Sequence, residues 1–295
     1  MKHNILIYGL GNIGFRHVQS LINDKRIDKI FIYDHKKKNY NFFKKKFSHK
    51  KKFILFEFQS MKNINFFLAI ISTTSKDRYL ITKRLIKNNN IKHFLLEKFL
   101  DSNLSNLKLF KNFQNMSIFV NYNWRYYPFI RLIKKKLSKQ KNLKITLQGN
   151  PWNMASNSLH ILNAVKFITG KKLKKIHVHK NCKLINSKRT GFNEIIGTIE
   201  FKLEENIYLK LISEPNLYGK NMIITNKNLN LKYNFQSSEL SYNRKIIISK
   251  IKHVSETTNI IYKKLLNRRF HELTHLGDTL SDSVDFLSKI KEKFK

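Results

Sequence analysis

The 295-residue sequence predicts an α/β protein in two parts, a doubly wound parallel sheet followed by an α+β domain of largely antiparallel sheet. Three observations carry this prediction. Up to about residue 121, short apolar runs alternate with longer amphipathic ones, the rhythm of parallel strands joined by crossover helices. A glycine-rich turn, Gly9, Gly11 and Gly14, sits between the first apolar run and the first amphipathic one. Beyond Tyr122 the rhythm changes to successive runs of period two, framed by helical stretches.

In the first part the expected strands are Asn4 to Tyr8, Lys29 to Tyr33, Phe53 to Phe58, Phe66 to Ser72, His93 to Glu97 and Ser117 to Tyr122. Helices are expected near 12 to 24, 76 to 89 and 102 to 114. The second part opens with a helix over Tyr127 to Ser138, a strand over Leu143 to Leu147 and a helix over Ala155 to Thr169. Strands follow at Ile176 to Cys182, Ile195 to Leu203, Ile207 to Ile212, Met222 to Thr225 and Leu229 to Phe235, and helices near 256 to 268 and 281 to 293 end the chain. No Pro-rich or Ser-rich linker and no repeat interrupts it. The domains are therefore expected at 1–121 and 122–295.

Composition narrows the class. A single cysteine, Cys182, excludes an internal disulfide and a cysteine zinc cluster, and fits a reducing compartment such as the cytoplasm. The longest apolar stretch, Phe66 to Ile71, is too short to span a bilayer, and a strand at Asn4 leaves no room for a signal peptide, so a soluble protein with no membrane partner is expected. The formal charge of +39 raises the question of nucleic acid. Its lysines, however, are scattered along the whole chain in short runs such as Lys36 to Lys38, Lys44 to Lys46 and Lys134 to Lys136, with no zinc-finger, basic-zipper or RNA-recognition signature. That distribution matches the codon bias of an AT-rich genome better than a specific nucleic-acid site, while the field it creates favours an anionic substrate.

Gly9, Gly11 and Gly14 form GxGxxG directly after a strand and at the start of a helix, with Asn12 and Ile13 in the first turn, where backbone N–H groups can cradle a pyrophosphate. The second strand ends in Asp34, 20 residues after Gly14, in position for the adenosine ribose. Together they predict a Rossmann domain holding NAD or NADP. Asp34 repels a ribose phosphate and His35, Lys36, Lys37 and Lys38 attract one, so the balance tilts modestly to NAD.

With these residues the chain resembles the Gfo/Idh/MocA oxidoreductases, typified by glucose-fructose oxidoreductase and inositol dehydrogenase. The resemblance runs through GLGNIGFRH (Gly9 to His17), STTS (Ser72 to Ser75) where the family carries Thr-Pro, and Glu97-Lys98 at the start of its Glu-Lys-Pro. It continues through NYNWRYYPFIRLIKKKL (Asn121 to Leu137) and SNSLHILNAVKFITG (Ser156 to Gly170), a His-bearing helix. It implies an NAD(P)-dependent oxidoreductase acting on a hydroxyl or keto carbon of a sugar or sugar derivative, including nucleotide sugars for cell-surface polysaccharide. It also implies a homo-oligomer formed through the exposed face of the second sheet. By the same resemblance Ser72, Thr73, Thr74, Glu97, Lys98 and Arg125 join the glycines and Asp34 at the cofactor, and Tyr127, Trp152, Asn157 and Asn163 join Lys98 and His160 at the substrate. Lys98 and His160 fall on the catalytic positions.

Their chemistry suits the assignment. Alcohol oxidation needs a base for the hydroxyl proton while the hydride departs, and a histidine titrating near neutrality is such a base. A lysine ammonium beside the same oxygen stabilises developing alkoxide charge. Ser156, His160 and Asn163 share a helix face, roughly opposite Ile161, Val165 and Ile168. The sequence also departs from the family. Ser156 and Asn163 stand where Asp is usual, Thr74 and Phe99 where Pro is usual, and Arg78 where a His often follows. Loss of the first Asp leaves open a cofactor-binding scaffold or sensor without turnover.

Two other constellations call for comment. His177 and His179 share a strand face without carboxylate or thiol companions, which reads as ordinary strand positions rather than metal ligands. His271, Glu272 and His275 spell H-E-L-T-H, the literal zincin string, which requires one helix and a third ligand. With the remainder of the chain absorbed by the dinucleotide pattern, no metal is expected.

Overall fold

The structure is a computed structural model and describes residues 2–47, 53–55, 63–137, 139–188, 190–242 and 245–295. The chain divides into two compact units, one of Met1–Asn121 with His253–Val284 and the other of Tyr122–Lys252 with Asp285–Lys295.

The first unit runs β1 (His3–Tyr8), α1 (Asn12–Leu21), β2 (Ile27–Tyr33), α2 (Lys37–Phe47), β3 (Phe53–Leu55), β4 (Asn65–Ile71), α3 (Arg78–Asn88), β5 (Asn90–Leu96), α4 (Leu104–Leu109) and β6 (Ile118–Val120). Its strands form one parallel sheet in the order β3-β2-β1-β4-β5-β6, the doubly wound arrangement the sequence predicts. The order reverses between β1 and β4, where strand ends splay apart and ligands collect in such sheets. Both faces of the central strands are covered, so they read as unbroken apolar runs: Ile5, Leu6 and Ile7, and Leu68 to Ile71, are fully buried.

The sequence reading names no helix between Asp34 and Phe53, where the structure has α2. Lysines dominate its composition, yet Tyr40, Phe43 and Phe47 recur at helical spacing, and Phe43 meets Phe47 and Phe53. The helix expected over 102–114 is shorter, passing into a 3-10 turn over Phe110–Phe113. Residues 56–58 of the expected third strand, and Ser138, lie outside the described residues.

The second unit runs α5 (Pro128–Leu137), β7 (Lys144–Gly149), α6 (Met154–Thr169), β8 (Leu173–Val178), β9 (Lys183–Asn186), β10 (Asn193–Leu203), β11 (Tyr208–Ser213), β12 (Lys220–Asn226), β13 (Leu229–Asn234), β14 (Glu239–Tyr242) and β15 (Lys245–Ile248). The sheet order is β15-β14-β13-β12-β7-β11-β10-β8, with β9 also on β10. Among the described residues only β7 and β11 pair parallel in this sheet, so it is largely antiparallel as predicted. Period-two burial is clearest in β11, where Leu209, Leu211 and Ser213 are buried and Lys210 and Ile212 are not. The sequence reading lacks β9, β14 and β15. These are four-residue strands with little buried surface, and all of β15 is exposed.

The last helices are α7 (Val254–Leu266) and α8 (Leu280–Lys293). The expectation that 122–295 forms one domain differs here, because His253–Val284 clusters with the first unit. There α7 packs on α1, with Asn259 donating to the Ser20 carbonyl and the Asp24 carboxylate. H-E-L-T-H is not a helix. Phe270–Glu272 is a 3-10 turn, Leu273 is extended, and Thr274 accepts a hydrogen bond from the Val120 N–H at the end of β6. His275 caps the next turn at the Gly277 N–H, and Glu272 pairs with Lys264. These side chains therefore point to separate structural tasks, and the zincin geometry does not arise. No helix among the described residues is long and apolar enough to cross a membrane.

One buried group of the first unit gives a stability prediction. His93 on β5 packs on Phe67 at 5.0 Å and meets the Ser117 hydroxyl at 2.6 Å, and burial lowers its pKa to about 4. In the unfolded chain it titrates near the ordinary 6.5, so the unfolded state takes up the proton first, and stability present above pH 6.5 is lost as pH falls towards 4. Urea midpoints measured across this window should fall more steeply for the wild type than for His93→Gln. Parallel profiles would show that His93 stays uncoupled from unfolding.

Candidate active site

The three glycines of the first turn have three separate reasons to be glycine. Gly9 takes φ +101, and a Cβ there would lie 2.9 Å from the Thr73 nitrogen. At Gly14 a Cβ would collide with the Gly9 carbonyl oxygen and lie 2.9 Å from the Ser72 hydroxyl, so this glycine lets α1 close on the strands. Gly11 differs, since a Cβ there meets nothing within 4 Å. Gly11 is also the N-cap of α1, with no side-chain cap and no acid in the first turn, which leaves the N–H groups of that turn for a ligand. Open space at the one glycine beside the helix start, where packing imposes no limit, is the fit expected for a pyrophosphate, with Asn12 and Ile13 contributing the first-turn backbone.

Neighbouring residues hold this turn. Ser72, after β4, donates to the Gly9 carbonyl at 2.7 Å. Asp34, after β2, accepts from the Leu10 N–H at 2.6 Å through one oxygen and from the Lys36 N–H at 2.7 Å through the other. It is 6% exposed, so the acid read from sequence as a ribose ligand is also the brace joining β2 to the glycine turn. Each oxygen retains a second lone pair for a hydroxyl donor. His35 and Lys36 to Lys38 are exposed beyond it.

Arg78, at the start of α3, is 1% exposed and gathers backbone carbonyls from two loops. Its guanidinium donates to Thr73 after β4 and to Glu97, Phe99 and Leu100 after β5. The planar fork thereby fixes Thr73 and the segment bearing Lys98 relative to each other. Sequence reading passed over this role because the signal, one arginine in a lysine-rich chain, has no local pattern.

Glu97 is buried with Lys98, half-buried, beside it. One Glu97 oxygen accepts from Asn121 Nδ2 at 2.5 Å and faces His17 Nε2 at 3.1 Å. His17 Nδ1 lies 2.8 Å from the Thr258 hydroxyl, which itself donates to the Val254 carbonyl, so Nδ1 carries the proton that Thr258 accepts. Burial opposes ionisation of Glu97, but the hydrogen bond and charge of His17, then Asn121 and Arg78, hold its carboxyl below the ordinary value. His17 Nε2 and this Glu97 oxygen thus face each other as a buried pair. Thr258 joins this network from α7, about 160 residues further along the chain, a sequence distance no motif spans.

The other predicted residues lie in the second unit. Arg125, in the 3-10 turn Asn123–Tyr126, places its guanidinium 4.8 Å from the centre of the Phe167 ring. Tyr127 is 6% exposed, between Trp124 and Phe129, and burial raises its pKa well above the ordinary phenol value. Trp152 precedes α6 and donates from Nε1 to the Ile212 carbonyl at 2.9 Å, while Asn157 donates to the Asn153 carbonyl at 3.0 Å. His160 and Asn163, 5% and 6% exposed, lie one turn apart on α6, and His160 meets the Tyr122 ring edge-on at 5.4 Å.

Glu194 on β10 was missed. Its carboxylate accepts from the Ser156 N–H at 3.2 Å, at the start of a helix with no acid in its own first turn. A carboxylate from a different strand thus stands at this helix end.

No family model matches the sequence, and no curated protein matches it. Solved structures do. UDP-N-acetylglucosamine 3-dehydrogenase from Acidithiobacillus ferrooxidans aligns over 100% of both chains at 10% identity, with a TM-score of 0.72. An oxidoreductase from Agrobacterium radiobacter, solved with NAD+, L-tartaric acid and magnesium, aligns over 99% of this chain and 95% of its own at 11% identity and TM-score 0.73. The transcriptional regulator Gal80p from Kluyveromyces lactis aligns over 100% and 89% at 15% identity and TM-score 0.71. At these identities the likeness establishes the fold.

Proposed function

We propose that this protein is an NAD(P)-dependent oxidoreductase acting on a hydroxyl-bearing or keto carbon of a sugar or sugar derivative. The observation that carries the reading is the glycine turn, in which Gly11 alone opens onto free space at the start of α1, beside the switch point between β1 and β4. Dinucleotide supplies hydride acceptance or donation when bound. The chain's own residues would do the remainder: in the oxidative direction His160 would take the hydroxyl proton and Lys98 would stabilise the charge on the same oxygen. Glu97, paired with His17 and Asn121, would anchor the segment that carries Lys98. Arg125 would contribute to the cofactor, and Tyr127, Trp152, Asn157 and Asn163 to the substrate.

Two of the solved neighbours support this reading, one a UDP-N-acetylglucosamine 3-dehydrogenase and one solved with NAD+. A nucleotide-sugar role in surface polysaccharide synthesis, a cytoplasmic location and self-association through the open face of the second sheet complete the proposal; specific nucleic-acid binding is not part of it. Hydride transfer tests it. Bound cofactor should gain or lose absorbance at 340 nm with at least one member of a sugar and nucleotide-sugar panel. Firm cofactor binding with no turnover across the panel would favour the second reading, a sensor, which gains support from the regulator Gal80p and from Ser156 and Asn163.

The cofactor's second phosphate is decided at Asp34. We expect NAD to bind more tightly than NADP, and Asp34→Asn to narrow the ratio several-fold, since the lysines after it would then face a ribose phosphate with less opposition. Titration with both cofactors measures it, and a wild-type preference for NADP would reverse the assignment.

A further inference from the structure

Lys220 opens β12 directly after the turn at Gly219, and its ammonium is held among three aromatic rings from three different parts of the second unit. Its Nζ lies 4.5 Å from the Trp152 ring centre, 4.9 Å from Phe235 and 5.4 Å from Trp124. An aromatic cage of this kind attracts a cation electrostatically through the ring faces and holds the charge at one place.

The rings are themselves fixed. Trp124 and Trp152 are more than nine-tenths buried, and Trp152 is tied to the end of β11 by its indole N–H on the Ile212 carbonyl. Phe235 meets Tyr233, which stacks on Phe129 at 3.7 Å. The backbone under Lys220 is also restricted. Gly219 has φ +67, and a Cβ on Gly149 would collide with the Gly219 carbonyl and approach the Lys220 Cα to 3.1 Å. Glycines at these two positions bring the end of β7 and the start of β12 together, and so bring a lysine to the two tryptophans.

The cage adjoins the start of the helix that bears His160. Trp152 is two residues before Met154, the first residue of α6, and the Asn157 side chain donates to the carbonyls of Trp152 and Asn153. Lys220 itself is only partly buried. A long flexible ammonium is ordinarily left to water, so holding one in rigid rings next to the candidate substrate helix creates a preset positive charge.

We propose that caged Lys220 is the specificity element for an anionic group on the substrate, so that the protein takes sugars carrying a carboxylate or phosphate in preference to neutral ones. This deepens the oxidoreductase reading above and rests on it for the word substrate, but its test needs no turnover. The wild-type protein, saturated with cofactor, is titrated calorimetrically with D-glucose, D-glucuronate, D-glucose 1-phosphate and UDP-glucose. Lys220→Met keeps the unbranched chain in the cage and removes the charge, and Lys220→Arg keeps the charge. At least one anionic ligand should bind the wild type at least tenfold more tightly than glucose, and the pattern among the three distinguishes carboxylate, monophosphate and nucleotide diphosphate. Lys220→Met should lose that preference while cofactor affinity stays within about twofold, and Lys220→Arg should restore most of it. Failure of all three anionic ligands to outbind glucose, or an undiminished preference in folded Lys220→Met, overturns the proposal. Anion preference without hydride transfer would leave it standing and refute the oxidoreductase reading alone.

Discussion

His160→Ala is expected to lower turnover by about two to four orders of magnitude while cofactor affinity stays within a few fold, because a general base acts mainly in the transition state. Lys98→Met should behave alike, since charge stabilisation at the reacting oxygen is also realised there. If both serve one oxygen, their effects do not multiply, and the double variant is hardly worse than the poorer single one. Steady-state rates with the best panel substrate, alongside cofactor titration, measure this. Losses confined to KM would assign both residues to uniform binding. The structure adds Glu194, which reaches the start of the same helix from β10. Glu194→Gln removes its charge but keeps a hydrogen-bond acceptor for the Ser156 N–H, so a fall in rate with unchanged thermal stability would mark that carboxylate as part of the histidine's electrostatic setting.

Gly11→Asp is expected to abolish dinucleotide binding and leave the fold within about 0.5 kcal/mol of wild type, because a side chain there meets nothing within 4 Å and the added carboxylate would oppose a pyrophosphate. Gly14→Ala should do the reverse in order of cause. Its methyl would overlap the Gly9 carbonyl oxygen, so α1 must shift, and a stability loss of about 2 kcal/mol or more is expected before any ligand is considered. Thermal melts and fluorescence titration of both variants separate the two roles. Cofactor binding by Gly11→Asp at wild-type strength would displace the phosphate site from this turn.

Local chemistry made much of this protein legible in its sequence. The parallel sheet is visible because strands covered on both faces must be apolar throughout, as in Ile5 to Ile7 and Leu68 to Ile71, and the glycine turn because no other residue tolerates φ +101 at Gly9 or the closeness at Gly14. The antiparallel second sheet shows in the period-two runs of β10, β11 and β13. Where the buried surface is small, as in α2 or β15, the pattern is too weak against a background of lysine.

Only tertiary structure could decide what depends on partners distant in the chain. H-E-L-T-H satisfies a helical motif by letter, but Thr274 is taken up by Val120 of β6, and the segment extends instead. Asp34 reads as a ligand and proves also to be a brace, because the N–H groups it bonds belong to Leu10 and Lys36, one of them 24 residues away. Arg78 on four carbonyls, Thr258 on His17, Glu194 at the start of α6 and Lys220 among three rings share one cause. Each is a single residue whose role comes from the groups the fold brings around it, and sequence spacing records periodicity along one element but not encounters between elements.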